Sequence, residues 1–164
     1  MKLYFYQKNK KHTSKDTDRL IIQSARDYFN MPFEGKVSRD KRGKPGIEGC
    51  FVSVSHTDDE VLIALNEYNF GIDMESRTRK VENKEKIAER FFSPLECDYV
   101  FSEKNGVDER FIEIWVKKEA YVKYTGDGIS QIASTDIFSL CGGFFEFTHN
   151  DKIIFAYESV DDAE

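Results

Sequence analysis

The sequence predicts an α+β protein made of two similar halves, and three observations support this prediction. With 164 residues, 40% of them hydrophobic, the chain can form one domain or two small halves that share a core. Short segments with strand alternation are interspersed with longer segments of helical period. A helix, a basic or glycine-containing turn and a β-hairpin occur in that order in each half. We therefore expect two α+β subdomains, residues 1–70 and 71–164, each with helices and a small antiparallel sheet.

The first half is predicted to begin with a strand at residues 3–6, followed by a helix over "DTDRLIIQSARDYFN". Leu20, Ile21 and Tyr28 fall near helical spacing there, and Asp16 or Thr17 is available as the N-cap. A basic turn, "GKVSRDKRGKPG", follows. Three short strands are then expected at residues 50–56, 60–66 and 70–75, and their short connections indicate an antiparallel meander.

The second half is predicted to contain three helices and a closing pair of strands. A helix near residues 84–92 precedes a second one in "FFSPLECDYVFS", where Ser93 would be the N-cap, Pro94 the first helical residue and Glu96 the third. The long segment "DERFIEIWVKKEAYVKYTG" predicts a helix that ends at Gly126 or Gly128. Strands are expected at residues 137–141 and 144–158, with a turn at "HND".

Composition and charge exclude several classes of protein. The 14 Phe and 8 Tyr are not typical of a disordered chain. The apolar stretch before the first lysines is too short for a signal peptide, and no run approaches the length of a membrane span. Three distant cysteines favour reduced thiols in a cytoplasmic protein. Residues 1–47 hold 12 Lys/Arg against 5 Asp/Glu, which indicates a basic surface for an anion or scattered solvated lysines.

Two acids in "FGIDMES" are the first candidate functional residues. In a strand, Asp73 and Glu75 project from one face, whereas Ile72 and Met74 project from the other. Two neighbouring carboxylates are costly unless a positive charge stands between them.

Two further signals are weak when taken alone. Glu119 and Lys123 are four apart on the predicted long helix, a spacing that is also common in surface ion pairs. In "VSVSHTDD", Ser53 and Ser55 share a strand face and His56 ends the strand, where a histidine is most often a surface or capping residue.

The ordered set "GKP", "SVSH", "GIDME", "ERFFSPLE" and "WVKKEAYVKYTGDGI" resembles the 4′-phosphopantetheinyl transferases. It is most similar to a compact member of the surfactin-synthetase-activating type. The resemblance implies the transferase fold and transfer of the phosphopantetheine arm of coenzyme A to a serine of an apo acyl or peptidyl carrier protein. About 70 residues precede Gly71, so both halves of the site are expected in one monomeric chain, although the part before "GKP" is shorter than in typical relatives.

The same resemblance implies roles for individual residues. It implies Mg²⁺, with Mn²⁺ as a possible substitute, on Asp73, Glu75 and Glu119. It implies catalytic roles for Glu119, Lys118 and Lys123, of which Glu119 or a metal-held water would be the general base. The implied residues that contact coenzyme A are Lys44, Ser55, His56, Lys118 and Lys123, and an apolar patch at Phe91 and Phe92 would dock the carrier protein.

Two other classes remain open from the sequence. A Mg²⁺-dependent phosphodiesterase or nuclease would also use clustered acids and a basic segment. A non-catalytic nucleotide-binding module would use the basic segment alone, and its binding would depend steeply on salt. The resemblance favours the transferase, for which we expect neither a nucleic acid nor a membrane as partner.

Overall fold

A computed structural model describes residues 1–140 and 142–159 and shows an α+β fold. The strands are β1 (Lys2–Gln7), β2 (Ser38–Arg39), β3 (Pro45–Gly46), β4 (Phe51–His56), β5 (Glu60–Asn66), β6 (Gly71–Ser76), β7 (Gly143–His149) and β8 (Lys152–Glu158). The α-helices are α1 (Ser14–Phe29), α2 (Lys84–Phe91), α3 (Pro94–Phe101) and α4 (Val107–Thr125), and two 3₁₀ turns cover Ile129–Ser134 and Ile137–Ser139. No helix in the described residues is long and apolar enough to cross a membrane.

The first sheet contains only strands from the early part of the chain. Its order is β1-β5-β4, all antiparallel, and α1 packs on one face through Ile21 and Ala25 against Ile63 and Leu65. The N-cap of α1 is Thr13, with Asp16 completing a capping box, so the predicted caps Asp16 and Thr17 are wrong by about one turn. The helix therefore starts earlier than its apolar period indicates.

The second sheet has the order β6-β8-β7, also antiparallel. The predicted meander is thus correct for β4 and β5 but wrong for β6, which pairs with β8 instead of β5. The reason lies in the two faces of β6. Ile72 and Met74 are buried against Leu62 and Ala64 of the first sheet, which requires β6 to stack on that sheet and not to extend it.

Polar contacts join the two sheets at their edges and ends. The backbone amides of Ile72 and Met74 donate to the hydroxyls of Ser53 and Ser55, each at 3.1 Å, so β4 side chains satisfy the free edge of β6. At one end Asn66 donates to Glu158. At the other end the buried side chains of Lys152 and Glu60 form an ion pair at 3.0 Å.

The segment before β7 differs from its predicted form. Residues 137–139 form a 3₁₀ turn where a strand was expected, because the Ile137 amide donates to the buried Glu96 carboxylate and Asp136 caps the turn. Cys141, also in that predicted strand, lies outside the described residues. The other predictions for this half are confirmed: Ser93 and Glu96 form a capping box on α3 and α4 ends at Gly126.

Helix α4 covers the outer face of the second sheet at unusually close range. Ile112 and Val116 pack on Ile153 and Phe155 of β8. At Gly71, a Cβ would lie 2.0 Å from the Ala120 carbonyl oxygen and 2.3 Å from the Tyr124 amide nitrogen. Only glycine permits this approach of backbone to backbone.

We predict that Gly71→Ala destabilises the protein by about 3 kcal/mol or more, because the methyl group meets helix backbone that cannot rotate away. Chemical denaturation measures the change. Gly46→Ala is the matched control, since its Cβ would be 3.3 Å from the Ser38 hydroxyl, and it should change the free energy of unfolding by less than about 1 kcal/mol. Equal effects of the two changes would contradict the close approach.

Candidate active site

Two adjoining clefts run along the outer edge of β4. The first, of about 260 Å³, lies between the basic turn, β4 and the end of α4; the second, of about 420 Å³, lies between β4 and the start of α1. Gly43, Pro45 and Val54 line both, so the clefts are neighbours. The first is also lined by Arg42, Lys44, Ser53, Val122, Lys123, Gly126 and Gly128, and the second by Lys8, His12, Thr13, Ser14, Thr17, Arg39 and His56.

Asp73 lies where β6, β4 and α4 meet. Its Oδ1 accepts a hydrogen bond from the Ser55 hydroxyl at 2.6 Å and forms an ion pair with the Lys123 ammonium, also at 2.6 Å. In this structure the positive charge beside Asp73 is a lysine on the neighbouring helix.

Glu119 lies one helical turn before Lys123 and is partly buried. Burial raises the pKa of the Glu119 carboxyl, the nearby Asp73 carboxylate raises it further, and Lys123 offsets part of the shift. Asp73 and Glu119 therefore act on each other across the gap between β6 and α4, and one lysine does not neutralise both.

Glu75 follows Asp73 on the same face of β6, but its carboxylate is engaged elsewhere. Oε1 accepts from the Ser76 amide at 2.9 Å and Oε2 forms an ion pair with Arg79. Within residues 1–140 and 142–159, no three His, Cys, Asp or Glu side chains are grouped closely enough to hold a metal ion. The predicted set of three carboxylate ligands is not assembled in this structure.

The donor set nevertheless fits a divalent cation of the Mg²⁺ type. Such ions take hard oxygen ligands and are commonly held by one or two carboxylates, with substrate phosphates and water completing the shell. Asp73 and Glu119 supply two such carboxylates, and Lys123, which pairs with Asp73, lines the first cleft.

Lys118 points away from this site, which corrects its predicted contact with phosphates. Its ammonium is fully buried, 2.8 Å from the buried Glu96 carboxylate, and it donates to the carbonyls of Ile132 and Thr135. A buried ammonium with these partners ties α4 to α3 and to the 3₁₀ segment, so its contribution is structural.

Two of the predicted coenzyme A contacts, Ser55 and Lys44, differ in their environments. Ser55 is buried and its hydroxyl serves Asp73 and the Met74 amide, so the predicted substrate contact of Ser55 is corrected to support of Asp73. Lys44 lines the first cleft, but its ammonium donates to Asn69 and to the Tyr124 carbonyl at 3.3 Å, and burial lowers its pKa.

His56 lines the second cleft with part of its side chain exposed. Desolvation of the rest of the ring lowers the pKa of His56, and the positive charges of Lys123 and Lys8 lower it further. An anion in the cleft would favour the protonated ring.

Two residues of the second cleft, Lys8 and His12, were not singled out from the sequence, whereas Arg39 belongs to the basic turn noted there. Lys8 follows β1, His12 precedes the cap of α1, and Arg39 is in β2. These positions are distant in sequence, and only the packing of α1 beside β4 brings them together with His56. The one available signal was the excess of basic residues in the first 47 positions.

The aromatic pair predicted to dock a partner is mostly core. Phe92 is 8% exposed, within the cluster formed by α2, α3 and α4, which corrects its predicted place in a surface patch. Phe91 packs edge-on against Trp115 and beneath Arg90. The exposed apolar side chains nearby are instead Leu95, 61% exposed, and Phe138, 51% exposed.

Comparisons with known proteins identify the family of the chain. Residues 69–161 match the family model of the 4′-phosphopantetheinyl transferase superfamily. The chain is 33% identical over 114 residues to the 4′-phosphopantetheinyl transferase HetI of Nostoc sp., covering 65% of this chain and 48% of that protein.

Two other relatives give the same result. Identity is 35% over 113 residues to the transferase gsp of Aneurinibacillus migulanus, covering 67% of this chain and 46% of that protein. It is 30% over 131 residues to the transferase Sfp of Bacillus subtilis, covering 77% and 57%. The chain spans about half the length of the curated relatives that it matches.

Proposed function

The chain belongs to the 4′-phosphopantetheinyl transferase superfamily, and we propose that it transfers the phosphopantetheine group of coenzyme A to a serine of an apo carrier protein. The observation that carries the proposal is that Asp73, with Glu119 nearby, pairs with Lys123, which lines the first cleft, and that this cleft adjoins a second one with several basic residues. A pyrophosphate substrate requires both features, whereas a simple nucleotide-binding module requires only the cleft.

The nucleotide part of coenzyme A fits the two clefts along β4. The second cleft offers Lys8, His12, Arg39 and His56 to its 3′-phosphate, since several cations on different elements can surround one phosphate. The backbone at Gly43–Pro45 lines both clefts and can contact the base, while the Lys44 ammonium stays on the end of α4. Subdomain 1–70 would thus supply the nucleotide contacts.

Subdomain 71–164 would supply the chemistry at the pyrophosphate. Asp73 and Glu119 would hold Mg²⁺, and Glu75 would join them only after leaving Arg79. When bound there, Mg²⁺ or Mn²⁺ stabilises negative charge that develops on the leaving group. Lys123, which lines the first cleft, places its ammonium beside the same phosphates.

Glu119 is the best placed general base. The carrier serine Oγ forms a bond to the β-phosphorus, the bond from that phosphorus to the bridging oxygen breaks, and 3′,5′-ADP leaves. The serine proton would pass to the Glu119 carboxylate or to a water beside it.

The carrier protein needs an apolar surface near this site. Leu95 and Tyr99 lie one turn apart on α3, and Phe138 packs edge-on against Tyr99. The exposed side chains of Leu95 and Phe138 are better candidates for the docking patch than the buried Phe92. Because both halves of the site lie in one chain, the enzyme is expected to act as a monomer, and the free thiols of Cys50 and Cys97 are consistent with the cytoplasm.

The test of the function is the mass of apo carrier proteins after incubation with coenzyme A and Mg²⁺. We expect a phosphopantetheine mass increase on a serine, and Glu119→Gln should lower the rate by at least about 100-fold, the usual worth of a general base. Glu109→Gln is the matched control on α4, since Glu109 is exposed in the first turn of the helix, and its rate should stay near that of the wild type. Hydrolysis of coenzyme A without a carrier would instead identify a phosphodiesterase.

The Glu119→Gln protein should also be more stable than the wild type when no cation is present. The pKa of Glu119 is raised by folding, so the folded state loses stability as the pH rises through the window between the unfolded and folded values. At pH 7 the wild type carries this cost and the amide does not. Thermal melts in chelator check the sign, and a lower melting temperature for Glu119→Gln would contradict it.

The second cleft predicts discrimination between coenzyme A and dephospho-coenzyme A. His56→Ala should weaken binding of coenzyme A by about 1.5–3 kcal/mol, because a charge-assisted hydrogen bond to the 3′-phosphate is lost. Binding of dephospho-coenzyme A should be nearly unchanged. Calorimetry with both ligands measures this, and equal losses would remove the 3′-phosphate from this cleft.

A further inference from the structure

The ion pair between Lys123 and Asp73 has an uneven geometry. Both hydrogen bonds that the described part of the chain gives to the Asp73 carboxylate fall on Oδ1, one from the Ser55 hydroxyl and one from the Lys123 ammonium. Ser55 is itself fixed, because it is buried and its hydroxyl oxygen accepts a hydrogen bond from the Met74 amide. The carboxylate is therefore held in place by Ser55 whether or not Lys123 stays.

The ammonium occupies the region that a cation bound to Asp73 and Glu119 would need. Its charge lowers the pKa of Glu119, so it acts on both carboxylates at once. Lys123 and a divalent cation would repel each other at contact distance, which makes simultaneous occupancy unfavourable.

The Lys123 side chain has a second position available to it, in the first cleft. Its side chain is partly exposed and lines the first cleft together with Arg42, Gly43 and Pro45. A lysine stem has several rotatable bonds and reorients at little cost when its partner is lost.

We propose that Lys123 is the resident counter-ion of this site: its ammonium holds the position of the cation on Asp73 and moves into the first cleft when a divalent cation binds. The exchange delivers one positive charge to the cleft at the moment when the cation arrives. Binding of the cation and of an anionic ligand are thereby coupled, a relation that rests on the cation site of the proposed function.

The test is titration with Mn²⁺ alone, followed by electron paramagnetic resonance, with neither coenzyme A nor carrier present. Lys123→Met should bind Mn²⁺ about tenfold more tightly than the wild type, because no ammonium has to be displaced. Lys8→Met removes a positive charge from the neighbouring second cleft, and Lys8 makes no ion pair with Asp73, so this change should alter the Mn²⁺ affinity much less. Lys117→Met breaks the comparable pair with Glu113 on the same helix and should have no effect.

The proposal is overturned if Lys123→Met binds Mn²⁺ no more tightly than the wild type, or if Lys8→Met has the same effect as Lys123→Met. The second result would mean that net charge alone sets the affinity. A measurement on the wild type avoids dependence on the folding of a variant: acetylation of Lys123, followed by peptide mass spectrometry, should increase severalfold on addition of Mg²⁺, with Lys117 unchanged. Unchanged labelling of Lys123 at saturating Mg²⁺ would also overturn the proposal.

These results separate the counter-ion from the transferase function. Transfer to a carrier by the wild type, with no gain in Mn²⁺ affinity for Lys123→Met, would refute the counter-ion alone. Tighter binding by Lys123→Met without transfer to any carrier would refute the function and leave the counter-ion in place.

Discussion

The close approach of α4 to β6 at Gly71 is the constraint on which the rest of the site depends. The helix backbone at Ala120 and Tyr124 occupies the space that a side chain at residue 71 would need. The turn of helix held there carries Glu119 and Lys123, and the next residue on the same face of β6 is Asp73. If the helix and the strand were further apart, Asp73 would lie on one surface and Glu119 and Lys123 on another. Their charges would then be too distant to interact.

The electrostatics of the site follow from that geometry. Two carboxylates and one ammonium meet at a partly buried place, where burial and, to a smaller extent, the Asp73 charge raise the pKa of the Glu119 carboxyl. The neighbouring cleft has the opposite character, since Lys8, Arg39 and His56 gather there. A ligand with phosphates and a divalent cation would balance both regions, which is why a pyrophosphate substrate suits this protein better than a neutral one.

Local patterns in the sequence predicted most elements but not their partners. The strand period of "GIDMES" placed Asp73 and Glu75 on one face. Only the tertiary structure shows that Glu75 forms an ion pair with Arg79 and that Asp73 forms one with Lys123. Sequence adjacency suggested that β6 continues the first sheet, whereas burial of both of its faces puts it in the second.

Buried polar groups were the hardest to assign. Lys118 and Ser55 match the motifs of the resemblance, but their roles depend on tertiary partners such as Glu96 and Asp73. The sequence indicated the second cleft only by an excess of basic residues. The residues that line it come from the end of β1, from β2 and β4, and from the segment before α1.

The most direct test of this account is a crystal structure with coenzyme A and Mn²⁺, using the anomalous signal of manganese to locate the ion. The account predicts one strong peak within coordination distance of Asp73 and Glu119, in contact with the pyrophosphate, with the 3′-phosphate beside His56. A peak elsewhere, or a nucleotide bound outside the clefts along β4, would contradict it.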